Sequence, residues 1–167
     1  DTKVIVEQSI DALELEVSAL GLDHVEVSCV GELVSSHEFY SYEAKYIDPH
    51  GAEYYIPAKS INQNTAEEIR KIAKKAFHVL ECAGMARVDF FVDKSSIKNS
   101  ATDKIAKIYL NEVNTIPGFT PISMYPKMWA ASGLEYAKLL DQLIQIALQR
   151  ASAKKQLKLT YAPKDNS

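Results

Sequence analysis

The sequence predicts an α+β fold in which helices flank an antiparallel sheet, and three observations carry that prediction. Residues 13–19 and 25–29 alternate apolar and polar side chains, as half-buried strands do. Ala86-Arg87-Val88-Asp89-Phe90-Phe91 and Leu110-Asn111-Glu112-Val113-Asn114 flank a polar stretch and can pair as a hairpin. Between these pairs, residues 65–81 repeat their apolar positions at helical spacing.

Taken in order, residues 4–7 open with the apolar run Val4-Ile5-Val6 and read as a strand. Leu13, Leu15, Val17 and Ala19 then alternate with Glu14, Glu16 and Ser18 up to Gly21, and Val25, Val27 and Cys29 repeat the pattern before Gly31. In this reading Glu16 is a solvent-facing residue at a strand edge. Residues 35–57 are aromatic-rich and poorly periodic, with an Asp48-Pro49-His50-Gly51 turn signal. Long irregular segments inside compact domains are more often functional than accidental.

Thr65-Ala66-Glu67-Glu68 has the form of a capping box. Ile69, Ile72, Ala73, Ala76, Phe77 and Leu80 form the core stripe of the helix it opens, and Gly84 is the expected stop. Residues 93–104 read as a polar hairpin loop. Residues 126–132 and 134–150 read as helical, the latter with Leu139, Leu140, Leu143, Ile144 and Ala147 inward. Residues 1–150 thus make one region, and residues 151–167 a polar, mobile tail.

At 167 residues and 47% hydrophobic, the chain can bury a core without covalent staples. A net charge of −3 with interspersed signs gives no polyanion footprint, and no apolar run reaches membrane-span length, so neither nucleic acid nor membrane is an expected partner. Cys29 and Cys82 lack a C-x-x-C context and read as buried free thiols of a reducing cytosol; the four histidines lack zinc spacing.

The chemistry concentrates in the late hairpin. Alternation puts Arg87 and Asp89 on one face, with Val88, Phe90 and Val92 on the other, and groups Glu112 and Asn114 with Leu110 and Ile108. Pairing brings Asp89, Glu112 and Asn114 together beside Arg87. Hard oxygen donors next to a fixed cation suit a Mg²⁺–triphosphate group, because Mg²⁺ prefers one or two carboxylates plus phosphate oxygens. The spacing alone leaves open a solvated strand face that Arg87 neutralises. Thr115-Ile116-Pro117-Gly118-Phe119-Thr120-Pro121 favours a site, since its prolines and glycine make a stiff loop whose backbone can approach a ligand.

Arg87-Val88-Asp89-Phe90-Phe91 followed by Asn111-Glu112-Val113-Asn114-Thr115-Ile116-Pro117-Gly118-Phe119-Thr120 resembles the C-terminal part of the D-alanine–D-alanine ligases, which belong to the ATP-grasp superfamily. Tyr42-Glu43-Ala44-Lys45-Tyr46 resembles that family's mobile loop. Glu7-Gln8-Ser9-Ile10, with Glu14 further on, resembles its adenine hinge and ribose contact. The matches fall in family order and cover residues 4 to about 150.

The resemblance implies an ATP-dependent ligase that makes D-alanyl-D-alanine for peptidoglycan precursors in the cytoplasm. It implies an ATP-grasp C-terminal region with ATP and one or two Mg²⁺ as cofactors, Mn²⁺ substituting. By the same resemblance Glu7, Gln8 and Ile10 meet adenine, Glu14 the ribose and Lys45 the γ-phosphate. Asp89, Glu112 and Asn114 hold metal, Arg87 and Gly118 stabilise the tetrahedral intermediate, and Ser123 and Met124 contact the second D-alanine. Tyr46 favours D-alanine over D-lactate as the nucleophile.

Such ligases are about twice this long, so a fragment is expected, lacking the first-substrate domain and an upstream phosphate-binding lysine and inactive by itself. The complete enzyme is expected as a homodimer. Gln8 stands where many relatives have lysine, Ala12 where many have glycine, and Pro121-Ile122 departs from a histidine-containing version. Another ATP-grasp carboxylate–amine ligase, including one that makes the D-lactate ester, remains the alternative.

Overall fold

A computed structural model describes residues 2–35, 52–98, 104–120 and 122–157. Its strands are β1 (Ala12–Gly21), β2 (Val25–Ser35), β3 (Ala52–Tyr55), β4 (Gly84–Asp93) and β5 (Ile108–Asn114). They form one antiparallel sheet in the order β3-β2-β1-β4-β5, which puts β1 at the centre. The helices are α1 (Gln63–Val79), α2 (Lys94–Lys98), α3 (Met124–Ala131) and α4 (Tyr136–Gln156). The expected antiparallel sheet with flanking helices is present, and no described helix is long and apolar enough to cross a membrane.

Period-two alternation gives the sheet two unlike faces. Leu15, Val17 and Ala19 of β1 and Ala86, Val88, Phe90 and Val92 of β4 are buried with Ile69, Ala73 and Phe77 of α1. Burying each large apolar side chain contributes roughly 1.5–3 kcal/mol. The opposite face is divided. Near Gly21, Leu20 packs with Tyr125 and Trp129 of α3 and Leu139 of α4. Further along, Glu14, Glu16, Arg87 and Asp89 line a cleft.

Several local expectations change. Residues 4–7 form no strand: Val4, Ile5 and Val6 are exposed, and among the described residues no strand lies beside them to complete a ladder. The first long helix starts earlier than the capping-box pattern suggests, because Asn62 is the cap, its side chain accepting from the Thr65 amide at 2.8 Å. Thr65 is buried instead, and its hydroxyl accepts from the Ala106 amide at 3.1 Å.

At the far end of α1, Glu81 takes the left-handed position that follows the C-cap, with φ of 52°; Gly84 also has a positive φ, 88°, but lies at the start of β4 and does not end the helix. Cys82 N–H donates to Phe77 O and Glu81 N–H to His78 O, the bond pair of a Schellman turn.

The polar link after β4 contains α2, where Asp93 Oδ1 accepts from the Ser95 amide and hydroxyl at 2.8 and 2.6 Å. Helix α4 runs on past Arg150 to Gln156. Its inward positions are Leu139, Leu143 and Ile146; the expected Leu140, Ile144 and Ala147 are exposed, because the helix touches the body along a narrower stripe. Cys29 and Cys82 are free and partly buried.

Candidate functional site

Strands β4 and β5 pair as the expected hairpin, with Arg87 opposite Asn114, Val88 opposite Val113 and Asp89 opposite Glu112. The register then shifts, and Phe90 pairs with Leu110, leaving Asn111 as the extra residue of a β-bulge. Ile108 and Leu110 therefore lie opposite Val92 and Phe90 on the α1 face, whereas Glu112 and Asn114 share the other face with Asp89 and Arg87. This corrects the simple alternation, which groups all four β5 residues on one face. One inserted residue inverts the parity of everything after it.

The cluster is closely knit. Arg87 Nε and Nη2 donate to Asp89 Oδ1 and Oδ2 at 2.8 and 2.7 Å, a bidentate pair. Asn114 Nδ2 donates to Asp89 Oδ2 and Glu112 Oε1, each at 3.0 Å. From the central strand, Glu16 Oε2 lies 3.4 Å from Arg87 Nε. Glu16 sits opposite Asp89 and is only 8% exposed, so the solvent-facing assignment from sequence is wrong. The physical reason is strand order: β1 is flanked on both sides and is not an edge.

The electrostatics follow from burial and proximity. Burial disfavours the Arg87 charge, but the Asp89 hydrogen bonds and the fields of Glu16, Asp89 and Glu112 outweigh it and hold the guanidinium firmly protonated. Burial also pushes the Asp89 carboxyl up. Arg87 pulls it down and Glu112 pushes it up again, and the net direction is upward.

The cleft is lined by the carboxylates Glu14, Glu16, Asp89 and Glu112 and by a single described cation, Arg87. Among the described residues no group of three or more His, Cys, Asp or Glu forms an all-protein metal cage. Two carboxylates in register, an amide and excess negative charge fit Mg²⁺ that completes its shell with phosphate oxygens. Asn114 joins such a donor set only by presenting its amide oxygen in place of Nδ2.

Helix α3 covers the neighbouring part of this face. Gly31 is directly opposite Glu16, and a Cβ there would lie 2.5 Å from Met124 Cε and 2.9 Å from Met128 Sδ, so α3 packs its methionine side chains directly onto the glycine and a larger residue would require those flexible ends to move. Ser18, opposite Arg87, donates through its hydroxyl to Tyr125 O at 3.1 Å, and Tyr125 returns a hydrogen bond to Ala19 O at 3.0 Å.

The start of α3 is thereby fixed beside the cluster. Met124 buries its side chain there, while Ser123, the residue before the helix, accepts through Oγ from the Thr120 amide at 2.9 Å and does not cap α3 with its side chain. Gly118 is exposed and faces Ser123, whose Oγ would be 3.0 Å from a Cβ at position 118.

Other expected residues lie elsewhere. Glu14 lines the cleft, but Glu7, Gln8 and Ile10 do not; they sit in the irregular segment before β1. Lys45 and Tyr46, with the whole Tyr42–Tyr46 loop motif, fall outside the described residues. Sequence reasoning missed Ser18 and dismissed Glu16. The available signal was that both share the parity of Glu14 along one strand.

Residues 1–145 match the family described as "D-ala D-ala ligase C-terminus". A D-alanine–D-alanine ligase of Caldicellulosiruptor bescii is 50% identical over 158 residues, covering 95% of this chain and 40% of the relative. The chain therefore spans about two fifths of the length of the curated relatives it matches.

Among solved structures, the D-alanine–D-alanine ligase of Coxiella burnetii superposes with a TM-score of 0.71 at 37% identity, over 90% of this chain and 36% of that one. The Bacillus anthracis D-alanine–D-alanine ligase complexed with ATP gives 0.65 at 28% identity, over 89% and 43%. Matched along most of its length by sequence and by backbone, the chain belongs to the D-ala D-ala ligase C-terminus family.

Proposed function

We propose that this chain is the nucleotide- and cation-binding part of a ligase that joins two D-alanines to D-alanyl-D-alanine with conversion of ATP to ADP. The observation that carries the proposal is the Arg87–Asp89–Glu112–Asn114 cluster on one sheet face of a chain in this family. The Bacillus anthracis relative, complexed with ATP, supports a nucleotide as phosphoryl donor.

The reaction has two steps. A carboxylate oxygen of the first D-alanine takes the γ-phosphoryl group and ADP leaves; the amine of the second then attacks the acyl phosphate, phosphate leaves and a proton is released. Bound Mg²⁺, one ion or two, with Mn²⁺ as substitute, supplies charge neutralisation during phosphoryl transfer. Asp89, Glu112 and the Asn114 amide oxygen would hold it. Arg87, oriented by Asp89, stabilises the tetrahedral intermediate together with the Gly118 amide.

Glu14 takes the ribose hydroxyls, and Glu7, Gln8 and Ile10 meet the adenine edge. Lys45 reaches the γ-phosphate. Ser123 and the Met124 amide, at the first turn of α3, hold the carboxylate of the second substrate, since helix N-terminal amides have no acceptor within the helix. Shielding from water protects the acyl phosphate. Tyr46 favours the amine nucleophile, so Tyr46→Phe should raise ester formation when D-lactate competes; an unchanged product ratio removes that role.

The chain's share of its relatives' length favours a companion proposal, that it does not turn over by itself and acts with further residues of a longer protein. The family resemblance, not the coverage, supports placing that protein in the cytoplasm as a homodimer. The test is phosphate release by the complete parent protein with ATP, Mg²⁺ and D-alanine, with and without D-lactate. D-alanine-dependent release that D-lactate does not enhance supports the proposal. Silence from a folded protein that binds Mg–ATP redirects it to another acid–amine pair.

A further inference from the structure

Asp89 is asked to do two things at once. Both of its oxygens already accept from Arg87, and Oδ2 also accepts from Asn114. If Asp89 also donates to a cation, its grip on the guanidinium weakens, because one carboxylate's lone pairs are shared among more partners. The nearest other carboxylate is Glu16, whose Oε2 is 3.4 Å from Arg87 Nε on the far side from β5.

Glu16 is well placed to serve as a fixed anchor. Its side chain is 10% exposed, it projects from the central strand, and α3 packs over its cross-strand neighbour Gly31. We propose that Glu16 is a positioning residue that keeps Arg87 aimed at the reacting centre while Asp89 serves the cation. The inference rests on the ligase proposal for its reaction, but the contact itself does not. Glu16 touches neither substrate nor metal in this scheme; it acts only through Arg87.

A double-mutant cycle in the complete protein tests it. Glu16→Gln should lower kcat about 10–100-fold, the usual cost of losing an outer-shell partner. KM for ATP and Mn²⁺ affinity, the latter read by EPR titration without turnover, should be unchanged. Glu16→Asp should recover part of the loss. In an Arg87→Met background, Glu16→Gln should change kcat by less than about twofold, since a residue that acts through Arg87 has nothing left to position.

Wild-type kcat in Glu16→Gln, or a full additional loss in the Arg87→Met background, overturns the proposal. Lost Mn²⁺ affinity also overturns it, because Glu16 would then be a ligand. If Glu16→Gln does not fold, the Arg87 Nε–H resonance is compared between the wild type and Glu16→Asp with Mg²⁺ and a non-hydrolysable ATP analogue added. That proton donates to Asp89 Oδ1 at 2.8 Å, so only faster exchange in Glu16→Asp than in the wild type supports the anchor, and equal exchange refutes it. Absence of turnover in the wild type would count against the ligase proposal alone, since the EPR and resonance readouts still judge Glu16.

Discussion

Arg87→Met is the most informative single change, because its effect on stability can be worked from the geometry. The Arg87 side chain is 16% exposed, and those of Glu16 and Asp89 are 10% and 13% exposed. At an effective dielectric of about 20, its contacts at 2.7 and 3.4 Å are worth roughly 6 and 5 kcal/mol of gross attraction. Desolvation of the three groups offsets much of that in the wild type. The variant, however, leaves carboxylates buried without their counter-charge, and breaking such a pair costs about 3–5 kcal/mol.

A domain of this size is stable by about 5–15 kcal/mol, so the loss is a large share. It corresponds to a fall in Tm of about 6–20 °C, at roughly 2–4 °C per kcal/mol. The assay is urea and thermal unfolding of the complete protein, followed by nucleotide binding and phosphate release at a temperature where the variant is folded. Nucleotide binding should persist, and turnover should fall by about 10²–10³, as for other lost transition-state donors. A variant as stable as the wild type would refute the buried charge cluster. Lost nucleotide binding with an intact fold would show that Arg87 serves the nucleotide and not the second step.

Three further outcomes are expected. Protons compete with a cation for Asp89, and burial raises its pKa. Mn²⁺ affinity should therefore be flat at high pH and already decline, as pH falls, above the ordinary aspartate value of 3.8; a decline confined to lower pH contradicts the burial. Glu81→Gly should stabilise the protein by about 0.5–1 kcal/mol in urea unfolding, because glycine adopts the left-handed φ of 52° without a Cβ penalty; a loss of stability would mean that the Glu81 side chain is needed there. Thr65→Val keeps the shape but strands the Ala106 amide, and should cost about 1–3 kcal/mol; a neutral result would show that amide to be satisfied by water.

Much of the fold was legible because it is encoded locally. Alternation along β1 and β4 marks which side chains enter the core, and the stripe at Ile69, Ala73 and Phe77 marks the buried face of α1. That the two short apolar-polar strings around Asp89 and Glu112 pair as a hairpin follows from the polar link between them; the register, Asp89 opposite Glu112 and Arg87 opposite Asn114, came from the structure. Local pattern also misled. The Thr65–Glu68 signature resembles a cap, yet Asn62 three residues earlier performs that role, and Gly84 resembles a helix stop that Glu81 supplies.

What the sequence determined by itself was the set of chemically capable residues and their pairing on one hairpin, because both depend on side-chain type and on periods of 2 and 3.6 residues. Only the tertiary structure decided that β1 lies between β2 and β4 and so buries Glu16 against Arg87, that a bulge at Asn111 turns Glu112 toward Asp89, and that α3 closes over Gly31 beside them. Those facts depend on contacts between residues far apart in the chain. A central strand and an edge strand carry the same alternation, and one inserted residue reverses a face without altering the composition of the strand.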